Sequence, residues 1–510
     1  MKVFPVVLLI AQAVYAANPN ILVIYTDDQG YGDLSIQNPQ AKFQTPHLDR
    51  LAREGIRFTD GHSPDTVCTP SRYGLLTGRY AWRTTLKRGV MGAEGTCLIA
   101  DGRMTLASLL RANGYATAMV GKWHLGMDFP GTKGQRDWTQ PVKDMPLDKG
   151  FDYYWGIPAS MNYGVLAWFE GRFAKVPPTL FTSKKPSRIA ISDYRIMPPY
   201  QETPKEAPNP EESGGRKMSL KGKGLEVAAD FVDSECLDRF TRQALKWLDG
   251  QAEAARKGKP FFLYVPYTSP HKPVIPLPEF RDKGKAGAYG SFMVETDHHV
   301  GRILHFLDTA GLAANTLVVF TSDNGPETTW KERIKRYQHD SSGIYKEGKR
   351  SIYEGGHRVP FLVRWPAGIQ QPGRTCDRPV CQTDLLATFA EMLKVKLPDD
   401  AGEDSESFYP SLIDPGATRE RVPMIHHGSG GRFAIREGRW KLIMPAKKAK
   451  HELYDLVADP GEEHNRVADH PEVARALAKK ITAIVANGRS TPGKATGNDT
   501  PLWPDVKWRN

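Results

Sequence analysis

The 510-residue chain has only five cysteines, and no two of them are spaced Cys-x-x-Cys. That spacing excludes zinc sites of the finger and ribbon types. Long apolar runs are scarce too. After the first sixteen residues no segment approaches the length of a membrane-spanning helix, so no integral membrane segment is expected. His-Glu-x-x-His, Gly-x-Ser-x-Gly and a nucleotide phosphate-binding loop are all missing, which removes the zincin, serine-hydrolase and nucleotide-binding readings. There is no tandem repeat, and no nucleic-acid motif accompanies the basic residues, so no nucleic-acid partner is expected.

What is present suits a globular protein: 40% hydrophobic and 25% charged residues, in a length that suggests two or three domains. Net charge is +11, with basic residues recurring at 216–223, 331–336 and 447–450. Most of these are solvated surface charge, but their summed field draws in anionic substrates. Lys2, the apolar run 3–10 and the small-residue end Val14-Tyr15-Ala16 have the form of a secretory signal peptide cleaved near Ala16 or Ala17. Export to the periplasm or the cell exterior is therefore expected. Cys376 and Cys381 are close enough in sequence to pair, and whether they do is left open.

Apolar runs at 20–25, 56–58, 116–120, 261–265, 317–321 and 361–364 read as strands. Helical patterns lie at 46–55, 105–113, 227–248, 288–307 and 383–393. The alternation predicts an α/β fold with a mostly parallel central sheet flanked by helices. Residues 126–148 and 175–223 break the rhythm and read as surface insertions able to rim a site. The acidic, turn-rich stretch 398–410 reads as a boundary, followed by antiparallel strands at 432–435 and 440–443 and a helix at 471–487.

Chemistry concentrates at strand ends. Asp27-Asp28 follows the first strand and Asp323-Asn324 a later one, where open α/β sheets build their sites. Adjacent carboxylates are costly unless solvated or shared by a cation, and oxygen ligands suit calcium or magnesium. Each pair alone could equally be a polar turn. Gly121-Lys122-Trp123-His124 ends another strand, and an extended backbone would point Lys122 and His124 to the same side. His271 lies in the proline-stiffened run Ser269-Pro270-His271-Lys272-Pro273. His298-His299 falls mid-helix and reads as structural or surface. The run Cys68-Thr-Pro-Ser-Arg72-Tyr-Gly-Leu-Leu-Thr-Gly78-Arg79 is a short helix with Pro70 in its first turn and Gly78 at its end. Cys68 then sits at a helix N-terminus, which favours anions, with Arg72 one turn later on the same face. Taken alone, this also describes a buried or disulfide-bonded cysteine.

That run resembles the signature of the type I sulfatases, Cys-x-Pro-Ser-Arg-x-x-x-Leu-Thr-Gly-Arg, and matches it at every specified position. The resemblance extends from about residue 20 to 465. It implies an alkaline-phosphatase-like fold with a smaller C-terminal subdomain, divided as signal peptide 1–17, catalytic domain 18–400 and subdomain 401–510. It implies a sulfuric-ester hydrolase in which Cys68 is converted to formylglycine by a formylglycine-generating or anaerobic sulfatase-maturing enzyme. One calcium ion, magnesium being the lesser alternative, would be held by Asp27, Asp28, Asp323, Asn324 and position 68. Arg72 would orient the nucleophile, and Lys122 and Lys349 would bind sulfate. His271 would be the acid, His124 the base, and Ser160 a substrate-side residue. Arg350 departs from the pattern, since the family places a small residue or glycine after this lysine. Phosphonate monoester or phosphodiester hydrolases sharing the motif are the rival activity, although those relatives tend to have Asp-His where this chain has Asp323-Asn324. A non-catalytic secreted protein that binds sulfated glycans is the rival outside catalysis. A sulfated carbohydrate is the expected substrate. Tyr153, Tyr154, Trp155, Tyr163 and Trp168 are the aromatics available to stack on sugar rings, with core packing the expected role for most of them.

Overall fold

The computed structural model describes residues 18–182, 224–417, 420–446 and 450–500. The signal peptide, most of the second insertion and most of the basic runs at 216–223 and 447–450 lie outside those residues. Among the described residues no helix is long and apolar enough to cross a membrane.

A ten-stranded sheet forms the centre. In chain order its strands are β1 (Asn20–Asp27), β2 (Ile56–Phe58), β3 (Ala116–Lys122), β4 (Tyr153–Ile157), β5 (Phe169–Glu170) and β6 (Phe173–Ala174), then β7 (Phe261–Pro270), β8 (Thr316–Ser322), β9 (Phe361–Arg364) and β10 (Arg374–Cys376). Their spatial order is β6-β5-β4-β3-β7-β1-β8-β9-β2-β10. The run from β4 to β8 is parallel, and antiparallel pairs flank it on both sides. β1, β7 and β8 are buried along their whole length. This explains their near-continuous apolar sequence, since a parallel strand covered on both faces has no side to leave polar. Helices α1 (Pro46–Arg53), α2 (Cys68–Thr77), α3 (Leu106–Ala112), α4 (Cys236–Arg256), α5 (Gly287–Thr309) and α6 (Leu385–Met392) accompany the sheet.

Several expectations shift at their edges. Helix α4 starts at Cys236 rather than near 227, because Leu225–Val227 pairs as a strand with Val165–Leu166 and Leu180–Thr182. Thr45 precedes α1, where a threonine is expected from the sequence to serve as N-cap, but its hydroxyl donates to Asp49 Oδ1 and does not cap the helix. The acidic stretch after 398 is no solvated linker. Glu403, Asp404 and Glu406 are buried, and arginines 79, 83, 103, 378 and 421 neutralise them. The cysteines are free thiols, so Cys376 and Cys381 do not pair. In α5, His298 is exposed and His299 buried.

At the C-terminus, β11 (Met424–His427), β12 (Phe433–Glu437), β13 (Trp440–Ile443) and β14 (Glu452–Asp455) form an antiparallel sheet in that order, with α7 (Pro471–Asn487) against it. Buried polar groups join this sheet to the central one. Lys441 of β13 is fully buried and pairs with Glu354 and Glu462, 2.9 Å from each. Glu354 opens a short helix, Glu354–His357, whose His357 lies 3.0 Å from His62 and stacks on His426 of β11. Against the cost of burial, Lys441 and His357 hold the Glu354 carboxyl well below its ordinary range. Lys441→Met would remove the cation shared by two buried carboxylates, leaving Glu354 only the arginines Arg358 at 3.0 Å and Arg436 at 4.0 Å. It is expected to cost about 3–5 kcal/mol and to lower the melting temperature by roughly 3–5 °C. Scanning calorimetry checks this, and adding Glu354→Gln should recover part of the loss.

Candidate active site

Four adjacent parallel strands each deliver a polar residue at their carboxyl ends: Lys122 from β3, His271 just after β7, Asp27 and Asp28 from β1, and Asp323 and Asn324 just after β8. The register places Asp27 beside Pro270 and Thr26 beside Ser322. These residues therefore share one level at the rim of the sheet, and all are buried. Helix α2 points its N-terminus at this rim. Cys68 is its first residue, with Sγ 3.4 Å from Asp27 Oδ1 and 3.7 Å from Lys349 Nζ. Gly78 ends the helix in the left-handed conformation, φ 65°, as its sequence predicted.

The carboxylates are held from several directions. Arg72, fully buried, donates to Asp323 Oδ2 through Nη2 at 2.8 Å and Nε at 3.2 Å, and to the Lys122 carbonyl at 3.1 Å. In this structure its guanidinium orients Asp323. Lys122 Nζ bonds Asp27, and Lys349 Nζ lies 2.5 and 2.7 Å from the two oxygens of Asp28. Asp28 N–H donates to Asp323 Oδ1, and Asn324 Nδ2 donates to Asp28 Oδ1. Gly325 permits this crowding, because a Cβ there would lie 1.8 Å from the Gly355 carbonyl oxygen.

The donor set fits a hard divalent cation. Ligand atoms of Asp27, Asp28, Cys68 and His271 lie within 4.8 Å of one another, with Asp323 joined to Asp28. Asn324 Oδ1 is buried without a hydrogen-bond partner, while its Nδ2 is fully engaged. A buried amide oxygen left without a partner is costly unless a cation takes it. Burial, and then the charge of Asp27, pushes the Asp323 carboxyl above its usual range, as expected of carboxylates too close to ionise freely.

The two histidines carry opposite hydrogen-bond assignments. His271 Nδ1 lies 2.6 Å from the Lys272 carbonyl and donates to it, which leaves Nε2 on the side of Asp28, 3.8 Å away. His124 Nε2 donates to the Met91 carbonyl at 3.0 Å, which leaves Nδ1 as a buried acceptor with no partner. The expectation that an extended backbone aligns Lys122 with His124 is corrected. Strand β3 stops at Lys122, and His124 has φ 64°. Asp28 (φ 67°) and Arg350 (φ 77°) are also left-handed. Such strain in non-glycine residues collects at functional sites, and no local sequence signal announces it. Ser160 is buried with its hydroxyl unpartnered, two residues beyond the carbonyl that accepts the His124 N–H. Of the five aromatics, Tyr154, Trp155 and Trp168 are core, and Tyr163 is partly exposed with its ring 5.3 Å from that of His124. Glu327, missed in the sequence, bonds Arg350 beside the lysine loop.

A sheet that gathers a helix-borne cysteine, cations and carboxylates at its carboxyl edge in this way has the alkaline-phosphatase-like architecture of the sulfatases. The chain belongs to the sulfatase family. The family model "Sulfatase" matches residues 19–395, and the model "N-sulphoglucosamine sulphohydrolase, C-terminal" matches 343–487. It is 33% identical to the N-acetylgalactosamine-6-O-sulfatase of Bacteroides thetaiotaomicron, over 91% of this chain and 93% of that one. It is 31% identical to human arylsulfatase A, over 91% of this chain and 87% of that one. A solved Bacteroides thetaiotaomicron structure, described with the metabolism of multiple glycosaminoglycans, aligns with TM-score 0.77 at 32% identity and covers 92% of this chain and 99% of its own. The protein is a sulfuric-ester hydrolase.

Proposed function

We propose that the protein hydrolyses sulfate esters of carbohydrates, using a formylglycine made from Cys68 and one calcium ion held by Asp27, Asp28, Asp323, Asn324 and position 68. The observation that carries the reading is the placement of Cys68. It opens α2 at the carboxyl rim of the sheet, with Sγ 3.4 Å from Asp27 Oδ1 and 3.7 Å from Lys349 Nζ, within reach of the same cation as Asp27 and Asp28. A side chain so placed can serve both as a cation ligand and as the group that meets sulfur.

Formylglycine supplies a hydrated aldehyde, one hydroxyl being the nucleophile toward sulfur, and the cation supplies positive charge beside it. The other roles belong to the chain's own side chains. Lys122 and Lys349 exchange their carboxylate partners for the sulfate oxygens and hold the charge that develops there. His271 gives the proton of Nε2 to the leaving alcohol oxygen. Burial, opposed by Asp27 and Asp28, lowers His271 to about 4 in the free site, and the negative charge of a bound sulfate ester favours its protonated form. His124, held well below its usual range by burial, Lys122 and Arg72, offers Nδ1 to take a proton as sulfate departs. Arg72 keeps Asp323 in place, and Ser160 adjoins the substrate. Export, with the maturing enzyme as the partner that modifies Cys68, completes the reading. Asn324 at the fourth cation position favours sulfate over the phosphonate and phosphodiester chemistry of the rival activity.

The carbohydrate assignment draws on the N-acetylgalactosamine-6-O-sulfatase relative and on Tyr163 at the site. The test is a panel of sugar sulfates, aryl sulfates and phosphodiesters compared by kcat/KM. Sugar alcohols are poor leaving groups, so His271→Ala should cost sugar sulfates about 100-fold or more and aryl sulfates less than about tenfold. Preference for the phosphodiester, or equal losses on both sulfate classes, would overturn the assignment.

A further inference from the structure

The two loops that carry His271 and Lys349 are joined by their next residues. Lys272 and Arg350 both bind Glu327: Arg350 in a two-pronged pair at 2.5 and 2.9 Å, Lys272 at 3.3 Å. Glu327 is nearly buried, its side chain 6% exposed, whereas those of Arg350 and Lys272 are 46% and 40% exposed. Thr328 gives Glu327 two further hydrogen bonds through its N–H and hydroxyl. The carboxylate is thus fully occupied on its inner side, while both cations keep an open face and the group carries one net positive charge.

The backbone at Arg350 is the second observation. Its φ of 77° is one that glycine adopts freely and an arginine adopts only against strain. Its N–H is fixed to the Thr66 carbonyl at 2.9 Å, two residues before Cys68. The chain accepts a strained arginine where glycine would relax the turn, and aims its guanidinium by a buried glutamate. A clamp between the two loops needs both cations, one from each loop, but not their open faces. Tyr163 stands at the same site, partly exposed, its ring 5.3 Å from that of His124.

We infer that Lys272 and Arg350, positioned by Glu327, form a second anion subsite at the mouth of the sulfate pocket, which selects carbohydrates bearing another sulfate or a carboxylate near the ester that is cleaved. This rests on the carbohydrate reading above. A half-exposed guanidinium suits either anion.

The experiment compares kcat/KM for three probes: a 6-sulfated N-acetylhexosamine alone, the same sugar with a second sulfate, and the same sugar linked to a uronic acid. Wild-type enzyme should prefer one or both dianionic probes by tenfold or more. Arg350→Gly, which also relaxes the backbone, and Lys272→Ala should each lower that preference at least fivefold, chiefly through KM. Which dianionic probe loses more tells sulfate from carboxylate. If the wild type shows no preference, or the variants slow all probes equally, the pair is only a clamp and the inference is overturned. If the wild type cleaves none of the sugar sulfates, the carbohydrate reading falls and takes the inference with it.

Discussion

Cys68→Ala is expected to abolish turnover, lowering kcat on the order of 10⁴-fold or more, as removing a covalent nucleophile does elsewhere. The fold should survive. Cys68 is a small residue at the first turn of α2, where Pro70 and the apolar Leu75 and Leu76 anchor the helix without it. Circular dichroism and melting temperature near those of the parent, with activity gone, is the expected pair of results. Retained turnover would remove position 68 from the chemistry. Cys68→Ser separates nucleophile from release. A serine oxygen can accept sulfate but has no second hydroxyl proton for His124 to take, so a sulfated enzyme should accumulate in a single turnover. Intact-peptide mass spectrometry across residue 68 detects that adduct, and in the parent it tells the aldehyde from the thiol. A parent peptide found wholly as thiol in fully active enzyme would refute the formylglycine assignment.

How much of this site could be read from residue order depends on whether local chemistry or tertiary packing made each part. Helix α2 was legible because a proline in its first turn, a glycine after its last residue and one reactive side chain lie within twelve positions. The strand-end carboxylates were legible because the apolar runs 21–25 and 317–320 give way within a few polar residues to Asp27 and Asp323. The left-handed turns at Asp28, His124 and Arg350 were not, since none is a glycine and only the packed loops hold them there. The hydrogen bonds that distinguish His124 from His271 were equally hidden, each depending on a carbonyl that only the fold supplies. The C-terminal strands β11 and β14 escaped notice because each has only two apolar residues in four, against three in β13. The network of Lys441, Glu354 and His357 joins segments far apart in the chain, and no single segment looks unusual alone.

Asp323→Ala is expected to remove the bound cation and, with it, most activity. The aspartate accepts two hydrogen bonds from Arg72 through one oxygen, and its other oxygen accepts the Asp28 N–H. It therefore holds the Asp28 turn, and with it the amide of Asn324, in place. Alanine would leave the Arg72 guanidinium buried without its principal partner, so some stability should also be lost, about 3–5 kcal/mol for breaking a buried pair. Asp323→Asn keeps the side chain's shape and one acceptor oxygen, and so separates charge from packing. Metal content by elemental analysis is the first readout, with about one equivalent of calcium in the parent and little in either variant. Thermal shift is the second. Added calcium should raise the melting temperature of chelated parent protein, since a ligand that binds only the folded state stabilises it by mass action, about 2.7 kcal/mol at a hundredfold excess over Kd. It should do little for the variants. Chelated parent protein, shown by elemental analysis to be metal-free yet fully active and unshifted by calcium, would overturn the assignment of Asp27, Asp28, Asp323 and Asn324. Magnesium restoring both the melting temperature and activity where calcium does not would keep the ligands and change the ion.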